Sequence, residues 1–491
     1  MTDVTDTPTG SPDGLRLFSY PLPEPRRAEV ARRAARIATA AGKNFAGLAR
    51  ARMRGDEIAD DAWARPLRLT FESLGATYVK FGQLISSSPG VFGEEVSTEF
   101  RDLLDTGPPV PFEHVRDTVE AELGCHLAEV FAEFGREPIA AASIAVVHRA
   151  RLHDGRDVAV KILRPGIERT LACDLGLMAP LVDVLAKQIG VGAAGWLLRL
   201  VDGFRSQISE EIDLRNEARA LAYFGKLFAE LGSGLAAVPE AYPEFSSRRV
   251  LTMEFLDGIP VDDLAAIGES GIDPRPLVRE MVRVSWATLF RFGVFHGDVH
   301  AGNVMLLRDE SGGARLALLD WGIVGRLTPD SKLFFNALMR GALGDESAWG
   351  EVATLLVEAY GPAVKEALRM DDDDLGSWVK EMVEPVFTSP WGEMSLGDFI
   401  LAPQREMARV QGEQMQTGTL RRLWRMRNEV RRTANELVET GAIGSGFDQS
   451  LFLLGKQMLY FERYGRMFMG DLSVLDDRDL LESLIEDGGG A

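Results

Sequence analysis

Three oxygen-bearing side chains, Asp298, Asn303 and Asp320, have a spacing suited to phosphoryl transfer. They fall in Phe295-His296-Gly297-Asp298-Val299-His300-Ala301-Gly302-Asn303-Val304 and in the apolar run ending Leu318-Leu319-Asp320-Trp321-Gly322. Moving a phosphoryl group asks for a carboxylate to orient or deprotonate the acceptor. It also asks for an amide oxygen and a second carboxylate to hold Mg²⁺ against the nucleotide phosphates. An Asp, an Asn five residues on, a short hydrophobic hairpin and an Asp-aromatic-Gly bring such oxygens to one end of a small sheet. Taken alone, these residue types also form turns, Asp298 and Asn303 capping one and Asp320 closing a hairpin.

The nucleotide half of such a site needs a cation. In Val158-Ala159-Val160-Lys161-Ile162-Leu163 the alternation of a strand sets one lysine among small apolar residues, which suits a lysine that contacts phosphates. A charge in a partly buried cleft needs a carboxylate partner, and Glu217, in the helical stretch from Glu210 to Ala218, is the candidate. Upstream, where a glycine-rich loop would let backbone amides approach the phosphates, the chain has Ala140-Ala141-Ala142-Ser143-Ile144-Ala145. Alanine disfavours positive φ, so a stiffer loop with a different grip is expected. No GxxxxGK[ST] loop occurs, which points away from P-loop chemistry. His296 and His300 have no Cys or His partner at ligand spacing and are read as hydrogen-bonding supports of the loop.

The elements that must carry these groups show in the patterning. Val146 to Leu152 and Asp157 to Leu163 alternate around the turn His153-Asp154-Gly155-Arg156, a hairpin of a small antiparallel sheet. Val250 to Phe255 reads as another strand. Helical periodicity dominates from about 65 to 130, broken at Pro89 and Gly107-Pro108-Pro109, again from Leu175 to Leu231, and beyond Pro260 except around Asn303 and Asp320. A connector near Glu254 to Gly258 then joins a strand-bearing lobe to a helical one.

With 491 residues, 46% hydrophobic and 26% charged, the chain has the composition of a soluble globular protein. A formal net charge of −20 argues against nucleic-acid binding. Against that background Arg26 to Arg54 holds nine cations and only Glu29 as an acid, the pattern of a helix that lies on anionic lipid, is solvated, or docks on the protein's own acidic surface. Cys125 and Cys173 form no CxxC pair and read as small buried thiols. Neither a secretory signal nor a membrane span is evident, and a cytoplasmic location is expected, with peripheral membrane contact left open.

The His-Gly-Asp-x-His-x-Gly-Asn string and Asp-Trp-Gly resemble small-molecule phosphotransferases of the aminoglycoside and choline type as well as the UbiB/AarF family of atypical kinases. Leu74-Gly75-Ala76-Thr77-Tyr78-Val79-Lys80-Phe81-Gly82-Gln83-Leu84, continued by Ser88-Pro89-Gly90, is similar to the KxGQ signature of the UbiB/AarF family. The alanine-rich loop and Glu211-x-Asp213 follow in the family's order, so the likeness spans roughly residues 65 to 330. It implies that Lys161 contacts the phosphates and Glu217 orients it, that Asn303 and Asp320 bind Mg²⁺, and that Asp298 is the catalytic aspartate. The residues Ala140, Ala141, Ala142 and Ser143, with Glu254, Phe255 and Leu256, would hold the nucleotide. Lys80 and Gln83 would cross the site near Glu211 and Asp213, a latch that excludes a bulky protein and leaves room for a small or lipid-like acceptor. Val146 replaces the usual Gln, Val299 and Ala301 the common prolines, and no C-terminal membrane span of the kind some members carry is seen.

The sequence therefore predicts an α+β, two-lobed protein-kinase-like fold with an N-terminal helical KxGQ extension. Its expected parts are a disordered tail (1–25), the extension (26–125), an N-lobe (126–258), a helical C-lobe (259–475) and a flexible C-terminus (476–491). The expected cofactors are ATP and Mg²⁺. The expected activity is ATP hydrolysis or transfer to a small or lipid acceptor, in or regulating isoprenoid-quinone or other lipid metabolism. A nucleotide-sensing pseudokinase and an aminoglycoside-type phosphotransferase are the alternatives.

Overall fold

A computed structural model of the chain describes residues 14–478, except 57–61, 87–93, 102, 104–108, 190–200, 202, 309–312, 361–369 and 394–448, together with 481–482. The first helices are α1 (Arg27–Arg54), α2 (Ala64–Leu74), α3 (Ala76–Ser86) and α4 (Glu94–Arg101). Helix α1 buries none of its residues and ends on Gly55, whose φ of 77° lets its N–H turn back to the carbonyls of Ala51 and Arg52. Phe71, Tyr78, Phe81 and Phe100 hold α2, α3 and α4 together through ring contacts centred 5.4 to 6.3 Å apart.

Helices α5 (Phe112–Leu123) and α6 (Leu127–Val130) lead into a five-stranded antiparallel sheet. Its strands are β1 (Phe131–Phe134), β2 (Ala140–Ala141), β3 (Ala145–Leu152), β4 (Asp157–Leu163) and, later in the chain, β6 (Val250–Glu254). Period-two alternation divides it into two faces. Val146, Ala150, Val158, Val160 and Ile162 pack under Val115 and Val119 of α5, whereas Ala145, Ala159 and Leu163 face the main core. Helix α5, which lies before the expected boundary of the extension at 125, therefore packs on the sheet.

The chain continues through α7 (Ile167–Ile189), a helical segment at 203–211 and α8 (Leu214–Glu230). Helix α8 starts at Asp213, whose carboxylate accepts from the Arg215 N–H, and its Leu214, Glu217, Leu221, Phe224 and Phe228 repeat at helical spacing on the buried side. Beyond β5 (Ala236–Ala237), β7 (Ile259–Pro260) and α9 (Leu264–Ser270), the long α10 (Arg275–Phe292) forms the centre of the second lobe. Strands β8 (Val294–His296) and β11 (Val324–Arg326) pair with each other, and β9 (Val304–Arg308) with β10 (Ala314–Leu318) forms a hairpin flanked by β7 and β5. Then come α11 (Pro329–Ala342), α12 (Ala348–Tyr360), α13 (Asp372–Thr388) and α14 (Gln449–Phe468). The chain is thus α+β and two-lobed, a kinase-like architecture with a helical N-terminal extension.

Both expected termini need correction. Leu15 is buried, Phe18 exchanges two hydrogen bonds with the Asn216 amide (3.0 and 2.8 Å), and Arg219 and Arg248 stack on Phe18 and Tyr20. This part of the supposed tail is docked on α8, and residues 1–13 lie outside the described residues. At the other end Leu481 is buried and Asp477 pairs with Arg279 at 2.6 Å, so both of these positions are packed. The acidic run 371–374 begins a helix: Asp371 accepts from the Asp374 N–H at 2.9 Å, where a helix dipole favours negative charge.

Candidate active site

The position of Lys161 is set by the sheet register. Strand β4 pairs Lys161 with Val147 on one side and Leu251 on the other, so the side chain leaves the face opposite α5 and meets the helical core. There its Nζ lies 2.9 and 2.8 Å from the two Glu217 oxygens and 2.7 Å from Asp320 Oδ2. Burial works against the ammonium, but Asp320 and then Glu217 outweigh it and its proton is held more tightly than in water. Burial also raises the Glu217 carboxyl to about 7, Asp320 adding to the rise and Lys161 opposing it. Asp320, against the cost of burial, is drawn below the usual carboxylate range by Lys161 and by the Gly322 N–H. Trp321 fixes this turn: its indole N–H donates to Leu318 O at 2.9 Å, and its ring lies 4.0 Å from that of Phe224 on α8.

The loop after β8 is held by its own side chains. His296 is buried and its Nδ1 accepts from the Asp298 N–H at 2.9 Å, while His300 Nδ1 accepts from the Gly302 N–H at 3.0 Å. Asn303 donates its amide N–H to Asp298 O at 3.0 Å, which commits the nitrogen and leaves the amide oxygen as the atom to offer a cation. Burial favours a protonated Asp298, but Lys456 and then His300 more than offset it, and the carboxyl is held below its ordinary value. Lys161, Glu217, Asp298, Asn303 and Asp320 line one cavity. Two hard oxygen donors beside a lysine suit Mg²⁺ and phosphates, and the residues present fit that pair.

Lys80 closes the same cavity, its Nζ 2.6 Å from Glu211 Oε2. Glu211 also accepts from the Gln207 amide at 2.9 Å. Asp213 does not share in this latch: its carboxylate caps α8 and binds the Arg215 guanidinium at 2.9 and 2.7 Å. The expected pair of carboxylates is therefore one, because the cap position turns Asp213 toward its own helix. Gln83 lines a neighbouring cavity with Lys80, Asp298 and Lys456. Gly82 between them has a steric cause, since a Cβ there would stand 2.4 Å from a Leu103 methyl and 3.0 Å from the Phe100 ring. Ser88, Pro89 and Gly90 lie outside the described residues.

The remaining expected nucleotide contacts separate. Ala142 lines the cavity, but Ala140 and Ala141 form β2 against β3, and Ser143 is buried. The loop is pinned from behind, Arg164 donating to Ala142 O at 2.9 Å. Val146 lies on the α5 side of the sheet, so the departure at this position falls in a hydrophobic core, away from Lys161. Glu254 ends β6, and Phe255 and Leu256 follow it at the lobe connection, all three outside the cavity that holds Lys161; Arg149 lies over the Phe255 ring at 4.4 Å. Two contributors escaped the motifs, Lys456 at 2.7 Å from Asp298 Oδ1 and Tyr464, whose hydroxyl donates to Val299 O at 2.7 Å. Both sit on α14, and the only trace in the sequence is the break that Lys456 makes in an apolar run.

Comparison with known proteins matches the sequence to a family. The model of the ABC1 atypical kinase-like domain matches residues 102–352. An uncharacterized protein of Mycobacterium tuberculosis strain H37Rv is 34% identical over 427 residues, 85% of this chain and 77% of its own. An Arabidopsis thaliana aarF domain-containing protein kinase, described as chloroplastic, is 33% identical over 84% of this chain and 73% of its own. A probable protein kinase UbiB of Marinobacter nauticus is 33% identical over 68% of this chain and 60% of its own. Among the described residues no helix is long and apolar enough to cross a membrane. The chain belongs to the ABC1 atypical kinase-like family, the UbiB/AarF proteins.

Proposed function

We propose that this chain binds ATP with Mg²⁺ and either hydrolyses it or passes its γ-phosphoryl group to a small, non-protein acceptor. The observation that carries this reading is Lys161 held between Glu217 and Asp320 in the cavity that Asn303 and Asp298 also line. Lys161, oriented by Glu217, meets the phosphates; Asn303 and Asp320 hold the cation; Asp298 orients the acceptor and takes its proton. Bound Mg²⁺ supplies charge neutralisation at the phosphate oxygens. The Lys80–Glu211 latch narrows the approach to Asp298 and supports a small acceptor over a folded protein. Likeness to UbiB proteins supports isoprenoid-quinone or other lipid metabolism as the setting.

The test is Mg²⁺-dependent ATP turnover, measured with and without liposomes and quinone-precursor mimics. Asp298→Asn should lower turnover by roughly 10²- to 10⁴-fold, the usual worth of a general base, with ATP affinity retained. A wild-type protein that binds ATP and never turns it over would overturn the enzyme reading and leave a nucleotide sensor.

A further inference from the structure

We propose that Lys456 is a catalytic residue of this site, a cation for the transferring phosphoryl group that α14 delivers from outside the matched family segment. This rests on the phosphoryl-transfer reading above. Lys456 Nζ lies 2.7 Å from Asp298 Oδ1, and the two side chains are only 12% and 19% exposed. Asp298 is inside residues 102–352 and Lys456 is more than a hundred residues beyond them.

Docking of the helix does not explain the lysine. Leu453, Leu454, Phe461 and Tyr464 are buried, the Tyr464 hydroxyl donates to Val299 O, and the Ser450 hydroxyl accepts from the Arg326 N–H at 3.3 Å. These contacts clamp α14 on both sides of position 456. Burying an ammonium costs desolvation that an apolar residue would avoid, and the carboxylate it meets is the one the chemistry uses.

The charge is also needed. Between His296 and Val304 the catalytic loop contains neither lysine nor arginine, and His300 uses its Nδ1 as an acceptor. Lys161 serves Glu217 and Asp320 on the nucleotide side, and Lys80 is held by Glu211. Lys456 instead faces the small cavity where Asp298, Lys80 and Gln83 converge, on the acceptor side. Burial opposes its charge, but Asp298 prevails and the ammonium keeps its proton.

In the transfer, the acceptor oxygen forms a bond to the γ-phosphorus while the bond to the β–γ bridging oxygen breaks. ADP leaves with that electron pair, and the acceptor proton passes to Asp298. An acceptor hydrogen-bonded to Asp298 stands roughly 3 Å from the phosphoryl group, so an ammonium on that carboxylate reaches the γ-phosphate oxygens. Lys456 thus holds Asp298 before the acceptor arrives and stabilises the γ-phosphate during transfer.

The experiment compares Lys456→Ala and Lys456→Arg with wild type, each checked for an unchanged circular-dichroism spectrum and a cooperative melt. Lys456→Ala should lose about tenfold affinity for the non-hydrolysable analogue AMPPNP with ADP affinity unchanged, and should lose roughly 10²-fold or more in kcat, the scale of one preorganised charge. Lys456→Arg should recover at least part of both. An unchanged AMPPNP-to-ADP affinity ratio in Lys456→Ala, or an arginine variant no better than alanine, overturns the proposal. A wild type that binds AMPPNP without turning over ATP defeats the enzyme reading and the catalytic role with it, and the affinity ratio then decides only whether Lys456 meets the γ-phosphate.

Discussion

His296 joins the loop after β8 to the stability of the whole fold. It is 2% exposed, its Nδ1 is committed to the Asp298 N–H, and its ring lies 4.4 Å from Trp321. Burial lowers its pKa from 6.5 to about 4, the pull of Asp298 notwithstanding. The unfolded chain therefore takes up a proton first as the pH falls, and stability drops between about pH 6.5 and pH 4, by roughly 2 kcal/mol at pH 5. Above that window the histidine is neutral in both states and contributes no slope. His296→Asn keeps an acceptor near the Asp298 amide and removes the titration, so its melting temperature should fall less than wild type between about pH 7 and pH 5. Equal falls would assign the acid sensitivity to other groups. At this scale much of the site was legible: Lys161 stood out as a lysine in an apolar strand, and Asp298, Asn303 and Asp320 by type and spacing. Lys456 was not, because a contact across more than 150 residues leaves no local pattern.

The segment from 203 to Glu230 changes role over two residues. Glu211 ends one helical segment facing Lys80, and Asp213 begins α8 facing Arg215. The motif suggested two carboxylates in one latch, since spacing in sequence cannot tell which side of a helix start a side chain takes. Asp213→Ala should therefore cost about 1 kcal/mol as a lost helix cap, read as a lower melting temperature, and leave the relative affinity for ATP and ADP as it was. Glu211→Gln, which removes the negative charge that Lys80 meets at 2.6 Å, should change that nucleotide preference. If both substitutions shift it alike, Asp213 belongs to the latch after all. Strands follow the same division. The hairpin β3–β4 and β6 have enough alternation to be read, whereas β5, β7, β8 and β11 have two or three residues each and owe their pairing to neighbours brought in by the fold.

At the scale of the molecule, a net charge of −20 coexists with a basic N-terminal helix. The structure separates the cations of α1 into two groups. Arg33 turns inward, bonding Asp174 at 2.5 and 2.8 Å and Leu74 O at 2.7 Å, while Thr77 on α3 donates to the same carboxylate at 2.6 Å. Arg32, Arg36, Lys43, Arg50 and Arg54 follow one another at steps of four and seven residues along one exposed side, and no described carboxylate pairs with them. From Arg32 to Arg54 this is a stripe about 33 Å long. A surface of anionic lipid would meet five ammonium and guanidinium groups at roughly 1 kcal/mol each, and must overcome repulsion from the rest of an acidic protein. Vesicle binding should therefore require anionic lipid and weaken steeply as added salt shortens the screening length toward about 3 Å at 1 M. Reversing Arg36, Lys43 and Arg50 to Glu should abolish co-sedimentation without altering the melting temperature, since none of the three joins the packing that Arg33 anchors. Binding that survives the triple reversal would move the lipid contact elsewhere, and indifference to anionic vesicles in wild type would leave the stripe a solvated face.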